Sequence, residues 1–156
     1  MSSSSPSPNS ASSTTPRRAP APTRWAMRLA VSLYRRSGGR IGGSVSGTSV
    51  LLLTTTGRRS GKAIARPVGY FDLDGVRYVI ASNGGAPADP AWYRNLLAHP
   101  AVTVEVGRER YQAVATPAEG EERARLWAHT VAVAPAYGKY AGGPREIPVV
   151  ILRRSA

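Results

Sequence analysis

The run Val50-Leu51-Leu52-Leu53-Thr54-Thr55-Thr56 and the turn after it restrict this chain more than any other stretch. Its apolar and β-branched residues have the composition of a buried strand. The strand runs out into Gly57-Arg58-Arg59-Ser60-Gly61-Lys62, where two glycines bracket a turn that needs backbone freedom. A second strand, Ala63 to about Asp72, returns from it. Four donor-rich side chains and several main-chain amides therefore gather at one strand end. That is the chemistry of an anion site: charge-assisted bonds to a phosphate or carboxylate contribute about 1.5–3 kcal/mol each, and amides converging in a turn add to them. A solvated basic hairpin is the competing reading of the same residues.

Downstream, brief apolar runs alternate with turn residues. Leu73-Asp74-Gly75 makes a hairpin turn into a third strand, Val76 to Ser82, which ends in Asn83-Gly84-Gly85, where bare backbone can come close to a ligand. Asp89-Pro90 supplies an N-cap and a first-turn proline for a helix through Ala98, which His99-Pro100 stops. Strands at Val102 to Val106 and Arg110 to Thr116 are joined by Gly107-Arg108-Glu109. Thr116-Pro117 caps a helix from Ala118 to about Val133. Pro135 to Tyr140 forms a helical turn, Gly142-Gly143-Pro144 breaks it, and Ile147 to Leu152 is the closing strand. Six short, mostly antiparallel strands with inserted helices predict an α+β fold built on a small closed or nearly closed barrel. No βαβ alternation supports a parallel sheet.

Two domain-level segments are expected. Residues 1–23 are Ser, Thr, Pro and Ala with Arg17 and Arg18, too poor in apolar residues to offset the entropy of ordering, and read as a disordered tail. Residues 24–156 form one domain that opens with a helix over Arg24 to Arg36, ended by Gly38-Gly39. Trp25, Met27, Leu29, Val31, Ser32 and Tyr34 give that helix a broad apolar side, and Arg24, Arg28, Arg35 and Arg36 give it charge. It either packs on the domain with its arginine stems running outward or lies on an anionic membrane surface. No apolar run approaches a membrane span, and no secretory signal pattern is present, so the expected compartment is the cytoplasm, with peripheral contact at the inner face of the membrane through residues 24–36.

Charge narrows the partner. Lys and Arg outnumber Asp and Glu by 21 to 9, a net +12, which calls for an anionic partner: nucleic acid, an acidic membrane or a phosphorylated small molecule. The absence of cysteine removes disulfides, thiol nucleophiles and Cys-ligated metals. His99 sits at a helix end and His129 inside another helix, without acidic residues at ligand spacing, so no metal site is expected. Gly43-Ser44-Val45-Ser46-Gly47 has Val where a nucleophile elbow needs Ser. Gly57 to Lys62 is one residue short of a phosphate-binding Walker loop. Glu119, Glu121 and Glu122 complement a helix start rather than form a hydrolytic pair. What remains is binding: a basic turn, a Gly-Gly loop, a helix start beyond it, and the hydroxyls of Ser82, Tyr93, Tyr137 and Tyr140. Such a set suits a protein holding a redox cofactor that carries the reaction itself.

An ordered series of segments then carries a resemblance: Leu52 to Gly61, Arg66-Pro67, Ala81 to Gly85, Pro90 to Leu96, His99-Pro100, Glu121 to Ala124, Pro135-Ala136-Tyr137 and Arg145-Glu146-Ile147-Pro148-Val149. In this order and spacing the chain, from about Leu29 to Leu152, resembles the deazaflavin (coenzyme F-420)-dependent nitroreductase family of actinobacteria. The resemblance implies a split β-barrel of the FMN-binding type that binds reduced deazaflavin and passes a hydride to an organic acceptor, a quinone or a nitro or enone compound. It implies that Arg58, Arg59 and Ser60 hold the phosphate and acidic tail of the cofactor, with Arg66, Pro67 and Val68 as the wall beside it. Ala81, Ser82, Asn83, Gly84 and Gly85 would lie over the ring, Ala91, Trp92, Tyr93 and Asn95 would reach the cofactor from the helix start, and Ser82, Tyr137 and Tyr140 would serve the chemistry. Three positions depart from nitroimidazole-reducing members: Asn83 replaces Lys, Gly69 replaces Tyr and Ala134 replaces Tyr, which implies a larger acceptor pocket with fewer proton donors. FMN in place of deazaflavin is one alternative. A non-enzymatic nucleic-acid or membrane-surface binder is another, although the aromatic residues are not interleaved with the basic ones as stacking on bases requires, so no nucleic acid is expected.

Overall fold

The computed structural model describes residues 23–45 and 47–155; the segment read as a disordered tail lies, but for Thr23, outside them. Helix α1 (Arg24–Ser37) leads into a two-residue strand β1 (Ser44–Val45), followed by β2 (Thr48–Thr56), β3 (Ala63–Leu73) and β4 (Val76–Ile80). Helix α2 (Ala91–Ala98), strands β5 (Ala101–Val106) and β6 (Glu109–Pro117), helix α3 (Gly120–Val133) and strand β7 (Val149–Arg154) complete the chain, with 3-10 turns at Asn83–Gly85 and Pro135–Tyr140. The sheet order is β1-β2-β3-β4-β7-β6-β5, all antiparallel, and β2 also pairs with β5 through Leu52↔Glu105, Leu53↔Val104 and Thr54↔Thr103. That last pairing closes the six longer strands into a barrel, as expected.

Strand alternation sorts the apolar residues into an interior and an outer layer. Leu51, Leu53, Val68, Val79, Val104 and Val150 fill the barrel, and Leu96 of α2 plugs one end. Phe71, Tyr78, Ile80, Val149 and Ile151 face outward and meet Leu126 of α3. Leu52 also faces outward, against Val31 and Tyr34 of α1. Burial on both faces is why β2 reads as an unbroken apolar run. The Tyr34 hydroxyl sits at the β2–β5 seam, 3.1 Å from the Val50 carbonyl and 3.3 Å from that of Glu105, and it accepts from the Gly107 amide at 3.0 Å. Arg35 beside it makes a two-pronged ion pair with the Glu105 carboxylate at 2.9 and 3.0 Å. Helix α1 therefore packs on the domain, but not by one broad face. Val31 and Tyr34 point in, whereas Trp25, Leu29 and Leu33 form an exposed row.

Several boundaries differ from expectation for identifiable reasons. Asp89 is not the N-cap of α2; Pro90 is, because the Asp89 carboxylate is taken by Arg145 at 2.8 Å. Thr116-Pro117 does not cap α3 but ends β6, where Pro117 pairs with Val150 and the Ala118 amide donates to the Val149 carbonyl at 2.7 Å. The closing strand begins at Val149 and runs to Arg154, because Arg153 and Arg154 still pair with Val114 and Ala113. The third strand stops at Ile80. The hairpin turn is as read: Asp74 (φ 51°) and Gly75 (φ 77°) are both left-handed, the two-residue turn that matches strand twist.

Candidate functional site

The basic turn is built around Gly57. Its amide donates to the Lys62 carbonyl and its carbonyl accepts from the Gly61 amide, both at 2.8 Å. A Cβ at Gly57 would lie 2.4 Å from the Ser60 hydroxyl, so a side chain there would displace that hydroxyl. The Ser60 hydroxyl accepts from the Lys62 amide at 3.2 Å and so shapes the turn. Arg58 and Arg59 stand exposed.

The basic turn is tied to α2. Buried Asn95 accepts from the Arg58 amide (3.2 Å) and guanidinium (3.0 Å) and donates to Thr55 at 3.3 Å. One neutral side chain thus orients Arg58 without consuming its charge. Trp92 and Tyr93, half-buried, pack against the barrel interior and meet edge to face at 6.5 Å, while Ala91 is exposed. Just before α2 lies the loop Ser82–Gly85, in which Asn83, Gly84 and Gly85 are all left-handed. The turn is thus tied to the middle of α2 through Asn95, and five residues, Ala86 to Pro90, separate the loop from the first residue of that helix.

A cavity of about 950 Å³ opens on the outer face of β3, walled by Pro67, Gly69 and Phe71 on one side and by Ala134, Tyr137 and Tyr140 on the other. A Cβ at Gly69 would come 3.6 Å from the Tyr137 hydroxyl and 3.1 Å from Thr48. Tyr140 closes on Gly85, where a Cβ would meet its ring at 2.9 Å, so cavity and glycine loop share a border. The two tyrosines lie edge to face at 5.9 Å. Burial, with a smaller contribution from Tyr140, pushes the Tyr137 hydroxyl above the ordinary phenol range.

The expected site residues thus fall into three groups. Arg58 and Asn95 touch; Gly85 and Tyr140 touch; Pro67, Tyr137 and Tyr140 share the cavity. Arg66 folds back onto the Ala65 carbonyl and lines a second groove, about 690 Å³, with Ser60, Lys62 and the α1 arginines Arg24 and Arg28. Val68 and Ala81 are buried, Val68 in the barrel interior, so they offer main chain rather than side chain. Ser82 is half-buried, and the Asn83 amide is held by the Ala88 carbonyl at 2.9 Å. The sequence reading missed Thr48, His129 and Lys139 in the cavity lining. They come from three separate elements and carry no shared local motif.

The donor set fits an acidic coenzyme. Among the described residues, Arg58, Arg59, Lys62 and Arg66 have no carboxylate partner, a property they share with Arg24, Arg28, Arg36, Arg40, Arg94, Arg108 and Lys139. The described residues contain no cluster of three His, Cys, Asp or Glu side chains suited to a metal ion.

A family model described as F420H(2)-dependent quinone reductase matches residues 25–154. The chain is similar to an F420H(2)-dependent quinone reductase of Mycobacterium tuberculosis, with 38% identity over 134 residues that cover 82% of this chain and 89% of the relative. Among solved structures, an F420-H2 dependent reductase (FDR-A) superposes with a TM-score of 0.61 at 38% identity, covering 67% of this chain and 93% of that one. A second, a domain-swapped dimer, superposes with a TM-score of 0.62 at 32% identity, covering 85% and 100%.

Proposed function

Because the chain belongs to the F420H(2)-dependent quinone reductase family, we propose that it is an oxidoreductase that binds reduced deazaflavin coenzyme between the basic turn and the glycine loop and reduces a quinone in the cavity of Tyr137 and Tyr140. The single observation that carries the reading is the set of cations at the Arg58 turn, tied through Asn95 to the helix α2 that follows the bare-backbone loop. When bound, the coenzyme supplies the hydride; the chain's residues supply everything else.

Arg58 and Arg59 bind the phosphate and acidic tail, with Asn95 holding Arg58 in place. Gly84 and Gly85 present backbone without side chains, which leaves a flat surface for a ring. The Ser82 hydroxyl lies at the entry of that loop as a hydrogen-bond partner for the ring system. Tyr137, held protonated by burial, is the donor for the proton that a reduced quinone oxygen must gain. The small residues Gly69 and Ala134 leave room for a broad planar acceptor, which favours a quinone over a small nitro compound. Asn83, exposed and tied to Ala88, adds no cation there.

Membrane contact is the finer part of the proposal. Trp25, Leu29 and Leu33 are 72%, 45% and 38% exposed in one row of α1, flanked by exposed Arg24, Arg28 and Arg36. That face suits the headgroup layer of an anionic bilayer, in which lipid-soluble quinones reside. No described helix is long and apolar enough to cross a membrane.

The test is a titration of the purified protein with deazaflavin, followed by coenzyme fluorescence. Wild type should bind at micromolar levels, and replacing both Arg58 and Arg59 by Ala should weaken binding at least about tenfold, equivalent to about 1.4 kcal/mol. Unchanged affinity would place the coenzyme elsewhere.

A further inference from the structure

Arg145 lies after the tyrosine turn, in a stretch without regular structure, yet its side chain is only 13% exposed. Its guanidinium reaches four acceptors. It donates to the Ala81 carbonyl (3.2 Å) and the Ser82 carbonyl (2.9 Å) at the entry of the glycine loop, and to the Ala86 carbonyl (2.9 Å) and the Asp89 carboxylate (2.8 Å) at its exit. Between these ends the backbone takes three left-handed residues in succession, Asn83 at φ 47°, Gly84 at 62° and Gly85 at 78°. Such a run does not hold itself, because left-handed residues occur singly and the non-glycine one is strained. The loop's own main-chain bonds, Gly85 amide to Ser82 carbonyl and Ala86 amide to Asn83 carbonyl, close only single turns.

We propose that Arg145 is a positioning residue: it clamps both ends of the glycine loop, and because it is delivered by the segment that follows Tyr140, it sets the distance between the ring-binding backbone and the tyrosine wall of the acceptor cavity. The planar guanidinium is suited to this task because its fixed fork addresses opposite directions at once, which an ammonium on a flexible stem does not. The segment is itself anchored. The Arg123 guanidinium donates to the Ile147 carbonyl and pairs with Glu146 at 2.8 Å, and the Ala81 amide donates to the Pro148 carbonyl at 3.0 Å. The clamp therefore has a rigid base on α3 and a soft target in the loop. A change here alters how ring and acceptor face each other while leaving the tail grip at Arg58 and Arg59 untouched.

The inference rests on the deazaflavin reading, and its test is chosen to separate the two. Amide hydrogen exchange at Gly85 and Ala86 is measured in the cofactor-free protein, and deazaflavin affinity and quinone-reduction kcat are measured with active-site concentration normalised. In Arg145→Ala, exchange at those two amides should rise about tenfold or more, and kcat should fall about tenfold. Coenzyme affinity should stay within about threefold, the reverse of the arginine-turn variant. Added guanidinium should recover part of the kcat, and Arg145→Lys should fall between the two. Unchanged exchange, or a loss explained wholly by fewer folded molecules with kcat per site intact, would overturn the proposal. Should Arg145→Ala not fold, Asp89→Asn removes only the charged contact at the loop exit. It should raise exchange at Ala86 by a smaller factor, and no rise there would overturn the clamp equally. Failure of wild type to bind deazaflavin would sink the functional reading, while the exchange experiment would still decide the clamp.

Discussion

Burial leaves the Tyr137 hydroxyl a proton donor across the whole neutral range. Its phenol lies against Gly69 and Tyr140, desolvation disfavours the phenolate, and the proton is retained past the ordinary tyrosine value near 10. Tyr137→Phe should therefore lower kcat for quinone reduction by about a hundredfold, in the range typical of a lost general acid, while coenzyme affinity holds. An unchanged rate in a stopped assay would move the proton source to another group. At this scale the sequence showed residue types but not their meetings. Arg58 and Tyr137 were legible as a cation and a hydroxyl. The bond from Arg58 to Asn95 joins positions 37 apart, and the clamp from Arg145 to Ser82 joins positions 63 apart. Local patterning contains no signal at such separations.

Elements were more legible than their edges. Glycines and proline-containing pairs placed the hairpins and both inserted helices, because turn chemistry is local. Edges failed where a tertiary bond competed with a cap, as with Asp89 drawn to Arg145 and Pro117 held in the β6–β7 ladder. The two faces of α1 were legible only in part. Nothing in the helix's own residues divides Val31 and Tyr34 from Leu29 and Leu33, since the division follows from where Leu52 and the seam lie. Trp127 is half-buried with Arg123 over its ring at 5.5 Å, an aromatic shared between α3 and solvent. A prediction belongs to α1. Replacing Trp25 by Ala and Leu29 by Ser should reduce co-sedimentation with phosphatidylglycerol vesicles by about tenfold, given about 0.8 kcal/mol for each buried methylene lost. It should not alter deazaflavin affinity. Equal sedimentation of wild type and variant would remove the membrane from the account.

The whole molecule is a barrel closed by β2 and β5, and closure was inferable from strand number and hairpin links, whereas register was not. Tyr34 and Tyr78 are fully enclosed. The Tyr78 hydroxyl lies within hydrogen-bond distance of the Leu126 carbonyl (3.0 Å) and the Thr130 hydroxyl (2.8 Å) of α3, and burial raises the pKa of both phenols. The unfolded chain releases these protons near pH 10, earlier than the folded chain does. Stability should thus be level from neutral pH to about 10 and fall as pH climbs through the raised folded values. Urea midpoints measured across that range would check it, and a midpoint that stays flat would contradict the burial. The bolt that Tyr34 drives into the barrel seam has a mechanical result as well. A helix fixed there is no loose leash: any surface that engaged its outer row would set the tilt of the entire body and so hold the mouth beside Tyr137 at one constant height and angle to it.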